Sequence, residues 1–162
     1  MMDKVCAFTG HRQIEKSHVK NISALVLRAI EYAYGEGCRT FITGGALGFD
    51  TLAAREVIRF RMSHQDVTLR LALPCSNQDR SWTEEQRERY FHTLAEADEI
   101  VYLSDEYTKD CMKRRNDYLA TSADILIAYV NRSRSGAAQT VRMAERLSKK
   151  VYNLYPTLDN AK

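Results

Sequence analysis

The chain has no apolar run long enough to cross a bilayer, no cysteine pair at metal-binding spacing, and no large excess of charge of either sign. Its 24 basic and 21 acidic residues leave a net charge of +3. That is enough to favour phosphate-bearing partners but does not mark a dedicated polynucleotide binder. The four cysteines, Cys6, Cys38, Cys75 and Cys111, lie far apart, with neither CxxC nor Cys/His spacing. They read as reduced, buried thiols and argue against a zinc site. Met1-Met2-Asp3-Lys4 leads into an apolar stretch too short for a secretory signal. The expectation is a cytoplasmic protein with no membrane partner, no metal and no cofactor. Repeats, low-complexity tracts and linkers are also missing, so 1–162 reads as one domain. The 44% hydrophobic and 28% charged composition is that of a globular chain able to build a core without staples.

What is there is an alternation of short β-rich runs with amphipathic segments. The runs are Val5 to Thr9, Arg39 to Thr43, Thr68 to Leu73, Glu99 to Leu103, Asp124 to Val130 and Val151 to Tyr155. Several are apolar without alternation, as strands covered on both faces are. Between the first two runs, Val19, Ile22, Val26, Ala29, Ile30 and Ala33 recur at helical spacing, and Gly35 and Gly37 end the segment. Asp50 to Met62, Thr83 to Ala97, Cys111 to Ala123 and Ala137 to Lys149 repeat the rhythm. Ser81 with Glu84, and Thr83 with Gln86, are two overlapping capping-box candidates for the third helix. Strands alternating with helices imply right-handed crossovers. The predicted fold is α/β, a Rossmann-like, doubly wound, mostly parallel sheet of about six strands with helices on both faces.

In such a sheet, ligands bind beyond the carboxyl ends of the strands, and the unusual residues fall there. The first strand exits into Thr9-Gly10-His11-Arg12 and the second into Thr43-Gly44-Gly45-Ala46-Leu47-Gly48-Phe49-Asp50. The third ends in a loop from Pro74 to Trp82 that contains Gln78, and the fifth in Asn131 to Gly136. Gly44, Gly45 and Gly48 precede a helix, where backbone amides can approach an anion. The segment is neither GxGxxG nor Walker A. Three glycines in five residues favour phosphate contact over a mere tight turn. Arg12 offers a fork of donors matched to phosphate, whereas His11 fits a ligand contact or a solvated turn equally. Asp50 can reach a ribose hydroxyl or cap the helix. In the fourth helix Met112, Leu119 and Ala123 define a buried stripe. Asn116 falls in its middle and Arg115 at its margin, so Asn116 either ties down a neighbouring loop or, with Arg115, belongs to a site. Trp82 stacks on a base or closes a core edge.

These segments, with Leu73-Pro74, Cys111-Met112 and Ser135-Gly136-Ala137-Ala138-Gln139-Thr140, resemble the SLOG superfamily, most closely its YpsA-like branch, and nearly the whole chain is covered. The resemblance implies a Rossmann-like fold and a pocket for phosphate and ribose. The superfamily includes LOG enzymes that cleave the N-glycosidic bond of cytokinin nucleotides, DprA-type proteins that bind single-stranded DNA, and members that look like sensors of NAD- or ADP-ribose-derived nucleotides. LOG enzymes carry PGGxGTxxE. Aligned on Gly136, this chain has Ala137 for the threonine and Thr140 for the glutamate, which leaves Asp50, Asp79 or Glu84 to supply a carboxylate for cleavage.

The candidate ligand-binding set is Gly10, His11, Arg12, Thr43, Gly44, Gly45, Gly48, Asp50, Gln78, Trp82, Arg115, Asn116, Ser135 and Gly136. Arg115 and Asp50 are the candidates for any catalysis, and no metal ligand is among them. The first functional reading is binding or sensing of a nucleotide-like small molecule, ADP-ribose- or NAD-related or a nucleoside monophosphate. Next comes a nucleotide N-glycosidase, so whether the ligand is cleaved stays open. Single-stranded DNA is ranked last: the clusters Lys113 to Arg115, Arg132 to Arg134 and Lys149-Lys150 lack interleaved aromatics. A homodimer, common in the superfamily, is left open.

Overall fold

The computed structural model describes residues 3–131 and 134–160. Six strands, β1 (Lys4–Gly10), β2 (Cys38–Thr43), β3 (Thr68–Leu73), β4 (Glu99–Tyr102), β5 (Ile125–Tyr129) and β6 (Lys150–Asn153), form one sheet in the order β4-β3-β2-β1-β5-β6. Every pairing is parallel, so the sheet is parallel throughout and not only in its centre. Six helices accompany it: α1 (Val19–Gly35), α2 (Phe49–Arg61), α3 (Glu84–Glu96), α4 (Cys111–Ser122), α5 (Gly136–Arg146) and α6 (Tyr155–Asn160).

Alternation along each strand sorts the core into two layers. On one face Cys6, Phe8, Phe41 and Leu71 meet α1 and α2 through Ile22, Val26, Ile30, Phe49, Ala53 and Val57. The Phe8 ring stacks on Phe41, with centroids 6.3 Å apart, and meets Phe49 at a tilt, 6.4 Å away, along this layer. On the other face the strands offer Ala7, Ile42, Ala72 and Leu126, and α4 and α5 answer with Leu119, Ala120, Ala123 and Ala144. Alanines from both sides, Ala7 and Ala72 from the strands and Ala120, Ala123 and Ala144 from the helices, make up much of this second layer.

The capping box forms at Thr83: its side chain accepts from the Gln86 amide (3.1 Å) and the Gln86 side chain accepts from the Thr83 amide (3.0 Å). The sixth strand stops at Asn153, and Tyr155, assigned above to that strand, opens α6 instead. The Asn153 side chain accepts from the Val130 and Tyr155 amides and donates to the Val130 carbonyl, which ends the ladder. Pro156 then sits in the first helical turn, where a missing N–H costs nothing. Helix α6 carries Asp159 to the buried His18, whose other ring nitrogen meets the Tyr129 hydroxyl at 2.7 Å. All four cysteines are buried and free.

Because two amides at the start of α3 depend on one box, Thr83→Ala is expected to lower stability by about 1 kcal/mol. Urea unfolding followed by circular dichroism measures it. An unchanged midpoint would show that the box does not hold the start of α3.

Candidate functional site

The strand order reverses beside β1: β2, β3 and β4 step away to one side, and β5 and β6 to the other. Beyond the carboxyl ends of β1 and β5 this leaves a crevice. A cavity of about 480 Å³ occupies it, walled by the β1 exit from Thr9 to Gln13, by Ala46 and Asp50, by α4 at Met112, Arg115, Asn116 and Leu119, and by Ser135, Gly136 and Ala137 at the start of α5.

Arg115 is the centre of this wall. It is 6% exposed, on the buried line Cys111–Arg115–Leu119 of α4. The buried face is thus turned from the stripe anticipated in the sequence: Arg115 faces inward and Asn116 is only half-buried. The guanidinium donates through Nη1 to the Gly44 carbonyl (2.6 Å) and through Nε to Asn116 Oδ1 (2.9 Å), and its Nη2 group makes no hydrogen bond within the described residues. Asn116 in turn donates to the Gly136 carbonyl (3.5 Å), which couples α4 to the first residue of α5. Burial disfavours the Arg115 charge, while the nearby Asp50 carboxylate works in the opposite direction.

Asp50 is the only acidic side chain on the cavity wall among the described residues. Its Oδ2 accepts from the Ala46 amide (3.2 Å), and its Oδ1 is buried without a partner. The helix start itself is at Gly48, with no side-chain cap. Burial pushes the Asp50 carboxyl up to about 6, against the pull of Arg115, the Ala46 amide and Arg12. It therefore changes charge just below neutrality.

Of the other residues singled out in the sequence, Gly10, His11, Arg12, Ser135 and Gly136 also line the cavity. His11 is fixed there, its Nε2 accepting from the Asn131 amide (2.9 Å). Ser135 caps α5 by accepting from the Ala138 amide (3.0 Å), which presents the positive end of that helix dipole to the cavity. Thr43, Gly44 and Gly45 lie behind the wall. The Thr43 hydroxyl is buried without a partner. A Cβ on Gly44 would collide with Arg115 Nη1 and with Asp50 Oδ2, so this glycine makes room for both. Gly45, at φ 69°, packs against Leu73, and its carbonyl accepts from Gln78 Nε2 (3.4 Å), which also donates to the Tyr90 hydroxyl (3.0 Å). Gln78 thus braces the loop and does not line the cavity.

Gly48 and Trp82 face a second groove, between α2 and α3, that meets the cavity at Arg12 and Gln13. Thr140, at the position of the LOG glutamate, is buried and donates to the Gly136 carbonyl (2.9 Å), so it turns into its own helix. Asp79 is ion-paired with Arg87 (3.1 Å), and neither it nor Glu84 lines the cavity. Thr9, Gln13, Ala46, Met112, Leu119 and Ala137 complete the wall without having been named in the ligand-binding set, since Met112 and Leu119 read as helix core and the residue types of the others do not mark them as ligand contacts. Arg132 and Ser133 lie outside the described residues.

Three comparisons bear on this geometry. The model of the YspA SLOG family matches residues 6–157. An uncharacterized SPbeta prophage-derived protein, YoqJ of Bacillus subtilis (strain 168), is 28% identical over 130 residues, covering 72% of this chain and 76% of YoqJ. Among solved structures, DNA processing protein A (DprA) from Streptococcus pneumoniae superposes with a TM-score of 0.62 at 17% identity over 93% of this chain. DprA from Helicobacter pylori, described by its single-stranded DNA binding mode, gives 0.63 at 18% identity over 91%. The chain spans 50% and 63% of those two proteins.

The DprA structures correct one expectation, the placing of single-stranded DNA behind a free nucleotide. That ranking relied on contiguous basic runs lacking aromatics. In the folded chain Arg12, Arg55, Arg89, Trp82 and Tyr90 share one groove, assembled from three segments distant in sequence, so no run could have displayed it. No helix among the described residues is long and apolar enough to cross a membrane.

The raised Asp50 carboxyl has a consequence for stability. Between its ordinary value of 3.8 and about 6, the folded state keeps a proton that the unfolded chain releases. The unfolding free energy therefore falls as pH rises through that window and stays lower above it. Relative to Asp50→Asn, the native chain is expected to lose ~1–3 kcal/mol across this range, read from urea unfolding at a series of pH values. Parallel pH profiles for the two proteins would refute it.

Proposed function

The chain belongs to the YspA SLOG family, and from that premise we propose that it binds single-stranded DNA by seating one nucleotide unit, phosphate first, in the cavity beyond β1 and β5. The observation that carries this reading is the wall built around Arg115. A buried guanidinium with an uncommitted Nη2 and the capped start of α5 border one concave space of about 480 Å³. A charged N–H donor and a helix N-terminus both favour the oxygens of a phosphate monoester or diester. The choice of single-stranded DNA as the ligand class is supported by the likeness to the DprA structures. It is supported also by the groove that continues from the cavity past Arg12, which gives a strand somewhere to run. The Gly44 to Gly48 loop serves this site chiefly as a mould, its small residues letting Asp50 and Arg115 approach each other across Gly44.

A second reading has one observation in its favour. As the acidic residue of the cavity, Asp50 is placed where a carboxylate could stabilise an oxocarbenium-like state during N-glycosidic cleavage of a nucleoside monophosphate. Free base would then appear on incubation with the purified protein and vanish with Asp50→Asn. If chromatography finds no base, only the binding reading remains.

For the main reading, fluorescence anisotropy with a labelled oligothymidylate is expected to show binding that weakens steeply with salt. Arg115→Lys keeps a charge but loses the planar fork, and is expected to bind about tenfold more weakly. Thermal unfolding verifies that this variant is folded, and Asn116→Ala, at a half-buried position, is expected to weaken binding in the same direction. A folded native chain that ignores the oligonucleotide, or variants that bind as well as the native chain, would overturn the proposal.

A further inference from the structure

We infer that the groove between α2 and α3 is a second nucleotide subsite, where the base adjoining the cavity-bound nucleotide stacks on Trp82 and its phosphate lies against Arg12 and Arg55; this rests on the binding reading above. The groove measures about 430 Å³ and no acidic residue lines it among the described residues. Arg12 and Arg55 are exposed there, and neither makes an ion pair or hydrogen bond with its side chain within the described residues. Arg89, on the far wall, is held by Glu85 at 3.0 Å. Two guanidinium groups with no hydrogen-bonded or ion-paired partner among the described residues line one concave surface, where their free donors suit an anion.

The aromatic side of the groove is preorganised. Trp82 is half-buried and meets Tyr90 edge-on, with ring centroids 5.0 Å apart and planes at 73°. Tyr90 is itself fixed by Gln78, which reaches across to the Gly45 carbonyl. The indole N–H makes no hydrogen bond within the described residues. Trp82 therefore closes a core edge and at the same time presents a rigid aromatic surface to a basic groove, the pairing of stacking platform and charge on which single strands are held.

The connection between the two spaces is built into the backbone. Gly48, at φ 80°, lies so close to Arg12 that a Cβ would clash with the Arg12 carbonyl. The Phe49 amide donates to the His11 carbonyl (3.1 Å). The β1 exit is thereby clamped onto the start of α2, and Arg12 stands on the divide, lining both the cavity and the groove. A phosphate linking two nucleotides would pass this residue.

Trp82 is the only tryptophan in the chain, so its emission reports on the groove. The test titrates the full chain with thymidine 5′-monophosphate, with 5′-phosphorylated dithymidylate and with longer oligothymidylates, following fluorescence and calorimetric heat in parallel. The monophosphate is expected to release heat without quenching, and the dinucleotide to quench and to bind about tenfold more tightly. Trp82→Phe should keep that gain and Trp82→Ala should lose it. Arg55→Ala, at an exposed position, should lower the salt dependence of oligonucleotide binding by about 0.7 in the logarithmic slope. Heat from the monophosphate with no gain on adding the second nucleotide, or quenching already complete with the monophosphate, overturns the second subsite alone. Absence of heat with every ligand overturns the binding reading and this inference with it.

Discussion

A single buried guanidinium ties the two faces of this sheet together at the end where a ligand would enter. Arg115 comes from α4, on the alanine-rich face, and its bond to the Gly44 carbonyl reaches the loop that leads into α2 on the aromatic face. Through Asn116 the same side chain is coupled to the start of α5. The loop after β2, the first turns of α4 and the first residue of α5 are therefore not independent features. Each is positioned against the same charge, and moving one of them would leave a buried cation short of a partner, an arrangement with a large free-energy penalty.

This constraint gives the glycines a packing reason. Gly44 is small because Arg115 and Asp50 converge over it, Gly45 because Leu73 presses on it, Gly48 because the Arg12 backbone occupies the place of a side chain, and Gly10 because the Phe49 ring sits 2.5 Å from where its Cβ would be. Four glycines thus record four close approaches between segments. The outcome is a compact floor from which Arg115, Asp50 and the capped end of α5 face one space. Asp50 shows what that compactness costs. It is kept near a cation and a backbone amide, yet burial outweighs both and leaves it close to titration near neutral pH.

Particular elements show what could be read before folding. The capping box at Thr83 and Gln86 is a local motif whose partners are three residues apart, and it forms as its residues indicate. The buried stripe of α1, with Ile22, Val26, Ile30 and Ala33, follows from helical period alone. The phase of α4 did not, because the stripe anchored on Met112 centres on Asn116, whereas Met112 is only half-buried and the buried line runs through Cys111, Arg115 and Leu119, with Arg115 held by a carbonyl from another element. Likewise Tyr155 belongs to an apolar run that looks extended. What turns it into a helix is the Asn153 side chain, bonded both to its own strand end and to a neighbouring strand.

Order, period and composition, all properties of neighbours along the chain, were sufficient to determine the parallel α/β sheet with helices on both faces and the placing of the unusual residues at its carboxyl edge. Family membership was legible in the same way, as an ordered series of short motifs. Only the tertiary structure decided which of those residues share a space. It put Arg115 and Asp50 on the cavity wall, set Thr43, Gly44, Gly45 and Gln78 behind it, turned Thr140 away, and joined Trp82 to Arg12 and Arg55 in an adjoining groove. The physical reason is that local patterns report what each residue does to its own helix or strand, whereas a binding surface is made from side chains whose separation is set by packing between elements far apart in sequence.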